Sequence, residues 1–569
     1  GTSLNDSVTL QTGGTLAVNN DLNVRGNNLT LKVGKLTIAD GKSISGSGVL
    51  TVASETDSET IDIGGTSQQL NAADFNSNTV SKFSDIIIGG ADQTGAINIV
   101  ADSTLDASVT LQTGGTLSVN NNLAAGNDGA TPAKGYDLTL KVGTLSVADT
   151  KTISGTGVLT VASNADSKTI GIGGAAGDLQ LTTDNLNTHF ADDFSEVVIG
   201  SASQSGNITL AAIALDNALT LQTSGALTQT GAITGDQDVN LLGVGGTHTL
   251  TNAGNAIGKL TANTGSIELV NSSAQTTGAI TTTGALSLTS DAVTINENLA
   301  TGAGNITFNT YALTIASGKT VTGSGNLQIT TKTADKLIDV GGTTVGALQL
   351  TTTNVSTDFA DGFANITIGS ADHTGGIEVG ADTTFKDTTT LQTSGALSVN
   401  NNLAAGANNL TLKADTLTIL DGKTVSSTGS LVITPNTDSN AIDIEGTTES
   451  ALQLISADFA GKIADGFSGI TICSTAQTGD ILVSATAFND ALTLQTSGAV
   501  TQTGAITGGQ NLNLLGAGGT HTLKNEVNSI GTLTANTGSV EFVSAKELVG
   551  ATDKTTETSR LGSMITSGA

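Results

Sequence analysis

Side chains able to do acid–base, nucleophilic or metal chemistry are few in this 569-residue chain, and they are scattered. His248 and His521 occupy the same Gly-Gly-Thr-His-Thr-Leu segment in two copies 273 residues apart, too far to share a metal. They read, with His189 and His373, as surface-turn or strand-edge residues. Asp192-Asp193 is the closest acidic pair, and acid–base work on a sugar acid would need such carboxylates clustered with Lys or Arg. The only arginines are Arg25 and Arg560, and the matching segments carry Asp361-Gly362 and Asp465-Gly466, so the pair reads as solvated surface. A lone Cys473 supports neither an intrachain disulfide nor a thiolate zinc cluster and reads as a small buried hydrophobe. Gly243-Val-Gly-Gly246 lacks the Lys-Ser/Thr of a phosphate loop. Asp40-Gly41, Asp421-Gly422 and Asn120-Asn121-Asn122 offer oxygens for structural calcium, but neither the calcium nonapeptide nor an EF-hand loop is present; hydrogen-bonded Asx turns are the alternative. No enzyme and no cofactor are expected.

Composition narrows the class further. Glycine supplies 72 residues, proline two, aromatic residues 2% and charged residues 12%. Mean hydropathy of +0.10 and so little charge exclude a disordered chain, and the missing Gly triplet excludes collagen. A net charge of −29 argues against nucleic acid and anionic lipid as partners. No run approaches 18 apolar residues, so membrane insertion as a helix is not expected. The Gly1-Thr-Ser-Leu-Asn5 start has no signal character, which places any targeting segment outside these residues.

Internal repeats set the architecture. Val8-Thr-Leu-Gln-Thr-Gly-Gly-Thr-Leu16 returns at Val109–Leu117, and variants recur at Leu219–Leu227, Thr389–Leu397 and Leu492–Val500. Modules therefore span about 8–108, 109–217, 218–387, 388–490 and 491–543, and 544–569 reads as a polar non-repeat tail. Ala218–Val270 matches Ala491–Val543 almost residue for residue. Within modules, Leu29/Leu31, Leu36/Ile38, Ile44 and Leu50/Val52 exemplify a finer pattern whose first and last pairs lie 21 residues apart. Leu-Thr-Leu alternation makes short strands with one buried face, and the Gly, Asp and Asn between them are turn residues. Three such strands cannot enclose a core, but stacked coils can. The expectation is an all-β, right-handed parallel β-solenoid running as one body through 1–543. Its roughly 27 coils at ~4.8 Å each make a rod on the order of 130 Å. The register of outward Thr-x-Thr reads as irregular, which disfavours an ice-binding face.

Each of four modules carries one departure, a segment with two phenylalanines: Phe75 and Phe83, Phe190 and Phe194, Phe359 and Phe363, Phe459 and Phe467. The spacing is eight in the first and last copies and four in the others, about one helical turn of difference. Leu186 and Val355, four residues before the first Phe, extend the stripe. These segments read as helices of one to three turns with both rings buried against the solenoid, serving as packing or as lateral contact ledges.

Phe359-Ala-Asp-Gly-Phe363-Ala-Asn-Ile-Thr-Ile-Gly-Ser-Ala-Asp-His-Thr-Gly375 and the surrounding Leu-Thr-Leu coils resemble repeats of very large bacterial surface and secreted proteins, the parallel β-helices of filamentous haemagglutinin-type adhesins and autotransporter passengers. The resemblance covers most of residues 1–543. It implies a non-catalytic, extracellular or cell-surface rod of adhesive or structural function. A self-assembling filament or sheath subunit is the alternative, and a polysaccharide-active β-helix enzyme the alternative of another class. Head-to-tail or lateral self-association and contact with a host or neighbouring cell surface are the expected partnerships, with no nucleic acid. The chain enters inside a repeat without a preceding cap, which suits either a stalk segment or a stacking subunit.

Overall fold

A computed structural model describes the chain except residues 65–68, 77–78, 128–134, 192, 343, 445–451, 456–457, 546–547, 550–558 and 567–569, and gives backbone alone at 460, 548–549 and 559–566. The chain divides into two compact units, Gly1–Gly284 and Ala285–Ala569, and each is a parallel β-solenoid.

Apolar alternation builds each coil. Val8–Val18 lies parallel to Leu29–Ile38, with Val8 opposite Leu29 and Leu10 opposite Leu31. Leu29–Ile38 in turn lies parallel to Val49–Ala53, with Leu29 opposite Leu50 and Leu31 opposite Val52, the 21-residue coil. Leu29, Leu31, Leu50 and Val52 are fully buried, each contributing about 1.5–3 kcal/mol relative to exposure. The long strands bend from one face to the next at a one-residue register slip between Thr12 and Thr15, where Gly13 and Gly14 oppose the single Gly34. There a Cβ on Gly34 would fall 2.2 Å from the Gly13 carbonyl oxygen, so the corner needs glycine. Short strands such as Leu22–Asn23 and Ile44–Ser45 close the third face.

The outward position between the two inward residues is in register. Thr9, Thr30 and Thr51 form one column, Thr110, Thr139 and Thr160 another, and Thr367, Thr390 and Thr411 a third in the second unit. Each Thr column is three rungs long and gives way to Ile87, Val198 or Val432 on the next coil, and the outward position two residues on carries Gln11, Lys32 and Ala53, so no regular Thr-x-Thr face forms there.

The phenylalanine segments are one-turn insertions that cover the third face. The Phe190 N–H donates to the Asn185 carbonyl at 2.9 Å, Phe359 to Asn354 at 2.9 Å and Ile463 to Asp458 at 2.6 Å, each bond reaching five residues back. A side-chain brace holds each turn: Asn185 accepts from the Thr182 N–H, Asn354 from Thr351 and Asp458 from Ile455. The first copy has a tighter turn at Ala72–Asp74. After these turns Phe190 bridges to Ile153, Phe359 to Val321 and Ile463 to Val425. Ile463 is thus the counterpart of Phe190 and Phe359, and Phe459 that of Leu186 and Val355. The second, third and fourth insertions do not differ in length by a helical turn. Their Phe spacing differs because the aromatic ring has changed places with an aliphatic residue four positions away.

In the second unit Ser559–Thr566, within the segment read as a tail, runs parallel to Thr532–Phe542.

Candidate ligand groove

Seven of the eight phenylalanines are buried, and Phe83 is half-buried. Phe83 and Phe194 press against Gly46 and Gly155, where an added Cβ would lie 2.7 Å from a ring carbon. The rings chiefly fill the coil.

Beside the second insertion the surface opens into a half-open groove of about 420 Å³. One wall is the insertion, with Leu186, Asn187, Phe190 and Phe194; the floor is the outward face of Glu196–Gly200, Leu219–Gln222, Val239–Leu250 and Lys259–Val270. Leu186 and Leu215, with Phe190, Phe194 and Val197, form its apolar part. The counterparts of Leu186 and Leu215 in the fourth insertion are Phe459 and Phe488, whose rings meet edge to face at 4.8 Å; in the third, Phe385 takes the place of Leu215. Two leucines where a sister module stacks two aromatic rings leave space unfilled.

The rim is charged. Asp238 and Lys259 form a salt bridge at 2.6 Å, with both side chains nearly half exposed. The Thr220 hydroxyl donates to Glu196 Oε1 at 2.5 Å, and Glu196 enters no ion pair among the described residues. Pairing of Val198 with Thr220 and of Leu219 with Val239 puts Ala218 on the coil between Glu196 and Asp238. Two coil steps, about 10 Å of backbone, separate Glu196 from Asp238 over the Ala218 methyl. Asn240 donates to Thr220 Oγ1 at 3.4 Å, while its buried Oδ1 has no partner. In the copy 273 residues on, Glu196, Asp238 and Lys259 become Gly469, Asn511 and Thr532. All three charges of the groove belong to one copy.

The remaining candidates fall elsewhere. His248 and His521 are fully buried, not at a surface turn or strand edge. His248 stands in the inward column between Leu227 and Ile267, its Nε2 3.1 Å from the Thr264 hydroxyl and its Nδ1 without a partner. Desolvation pushes its pKa down to about 4, and that of His521 down as well. His373 is buried too and occupies the place of Gln93, Gln204 and Gln477, whose amides donate to coil carbonyls. His189 is buried, with Nδ1 2.8 Å from the Lys151 carbonyl. His248, His521 and His373 each take a place that the coil needs filled inside, and neutral imidazole is small and apolar enough to serve.

Asp192 lies outside the described residues, and Asp193 is exposed. Cys473 is buried, and desolvation raises its thiol pKa. Of the oxygen-rich turns, Asn122 accepts from the Thr152 N–H and donates its own N–H to Asp102, a stacked Asx ladder. Asp421 pairs with Lys462 at 3.0 Å. No group of three or more His, Cys, Asp or Glu converges as a metal site among the described residues.

Sequence reading missed the groove because its three charges lie 21 to 63 residues apart and converge only through coil register. The available signal was the loss of Asp238 and Lys259 between two otherwise near-identical stretches. Comparison with family models, with curated proteins and with solved structures returned no match.

Proposed function

We propose that the chain is a non-catalytic structural and adhesive element of an extracellular bacterial fibre, of the filamentous haemagglutinin or autotransporter kind. The observation that carries this reading is the in-register stacking of coils within each unit, with long inward aliphatic columns and outward Thr columns. Such ladders give stiffness, and stability accumulates from nearest-neighbour coil contacts. The acidic, weakly charged surface suits exposure outside the cell, and one module of the first unit carries a groove in which a surface ligand could rest.

Immunogold labelling of intact, unpermeabilised source cells tests the reading. Decoration of surface fibres is the expected result. Label that appears only after permeabilisation would contradict it.

Glu196 and Asp238 stand two coil steps apart in one groove, a pair of carboxylates such as glycoside hydrolases use. That pair supports the polysaccharide-active alternative. Against it, Asp238 is neutralised by Lys259. The binding experiment below separates the two by recovering the ligand intact or cut.

A further inference from the structure

We propose that the groove beside the second insertion binds a short oligomer of an amino sugar. The proposal rests on the surface-exposed reading above and names the ligand class of that same site.

Three features select the class. The groove is open along the sheet, so it suits an extended ligand better than an enclosed one. Its charge is two carboxylates to one ammonium, and the ammonium is spent on Asp238, leaving Glu196 to receive a cation. Around that acceptor stand Asn240 and Thr261 on successive coils, while the buried Thr220 hydroxyl is committed to Glu196. Leu186 and Leu215 supply an apolar surface opposite them. An amino-sugar ring carries each complementary part: hydroxyls for the polar rungs, an ammonium for Glu196 and a C–H face for the leucines.

A basic peptide is less suited. The floor strands have hydrogen-bonded neighbours on both sides, so a peptide main chain finds no free edge to pair with.

The test is calorimetric titration of the full chain with glucosamine tetramer, N-acetylglucosamine tetramer, galacturonate tetramer and trilysine. A chain of net charge −29 attracts any cation, so the deciding variant is the uncharged Leu215→Phe, which installs the ring of Phe385 and Phe488. The glucosamine tetramer is expected to bind at least tenfold more tightly than its acetylated form. Leu215→Phe is expected to cost at least tenfold. Glu196→Gln is expected to bring the cationic tetramer to the affinity of the neutral one. Unchanged circular dichroism of both variants verifies their fold, and Glu196→Gln becomes the deciding variant should Leu215→Phe fail to fold. No saturable binding, equal binding by Leu215→Phe, or tighter binding of trilysine or galacturonate would overturn the proposal. Recovery of a shortened tetramer would also overturn it, in favour of a hydrolase. Failure here with surface fibres still decorated by antibody removes the ligand and leaves the scaffold; label confined within cells removes both.

Discussion

Replacing His248 with leucine removes a titrating group from the interior of the first unit and replaces it with the kind of residue that neighbours it in its column, Leu227 and Ile267. The buried ring is neutral, and desolvation holds its pKa near 4 against an ordinary 6.5. The unfolded chain therefore takes up the proton first. Stability is complete above pH 6.5 and falls as the pH drops from 6.5 toward 4, with no further loss from this group below about 4. Between pH 7.5 and 4.5 the difference amounts to about 2.5 kcal/mol, at 1.36 kcal/mol per pKa unit. Carboxylates titrate over the same range, but they do so in both proteins, so the double difference isolates the histidine. Urea unfolding followed by circular dichroism should show His248→Leu losing about 2.5 kcal/mol less than the wild type on acidification. Equal losses would refute the reasoning and mean that the ring is solvated or already protonated in the folded coil.

Other perturbations probe the coil itself. Gly369 has φ +84°, and a Cβ there would lie 2.1 Å from the Gln392 carbonyl oxygen; Gly369→Ala should cost about 2–4 kcal/mol in denaturant unfolding. Cys473 holds the equivalent place at φ +75°, so Cys473→Gly trades relief of backbone strain against a lost buried thiol and should change stability by less than about 1 kcal/mol. Gly155→Ala drives a methyl against the Phe194 ring and should lower the thermal midpoint through about 1–3 kcal/mol of overpacking. Asn255 is fully buried, donates to the Gln229 side chain and the Leu250 and Val270 carbonyls, and accepts from the Ile233 N–H. Asn255→Asp keeps the shape but sets a carboxylate against those carbonyls, and should cost about 3 kcal/mol or more at neutral pH.

The coil was legible because period-two alternation and a 21-residue repeat are local and redundant: Leu29, Leu31, Leu50 and Val52 announce an inward column before any fold is known. The burial of the phenylalanines was legible for the same reason. What spacing could not reveal was register through the insertions. Ile463 stands where Phe190 and Phe359 stand, and matching aromatic to aromatic shifts the alignment by four. The histidines misled because a titratable side chain ordinarily lies outside, and only their place in an apolar column shows that they are core. The groove is a different case again. Leu186 and Leu215 look ordinary until Phe459 and Phe488 show what a sister coil puts in the same space.

Negative-stain electron microscopy of the purified chain over a dilution series tests the scaffold account most directly. The account predicts stiff, elongated particles, present at every concentration or joined end to end into filaments. Compact particles of varying outline, with no long axis at any dilution, would contradict it.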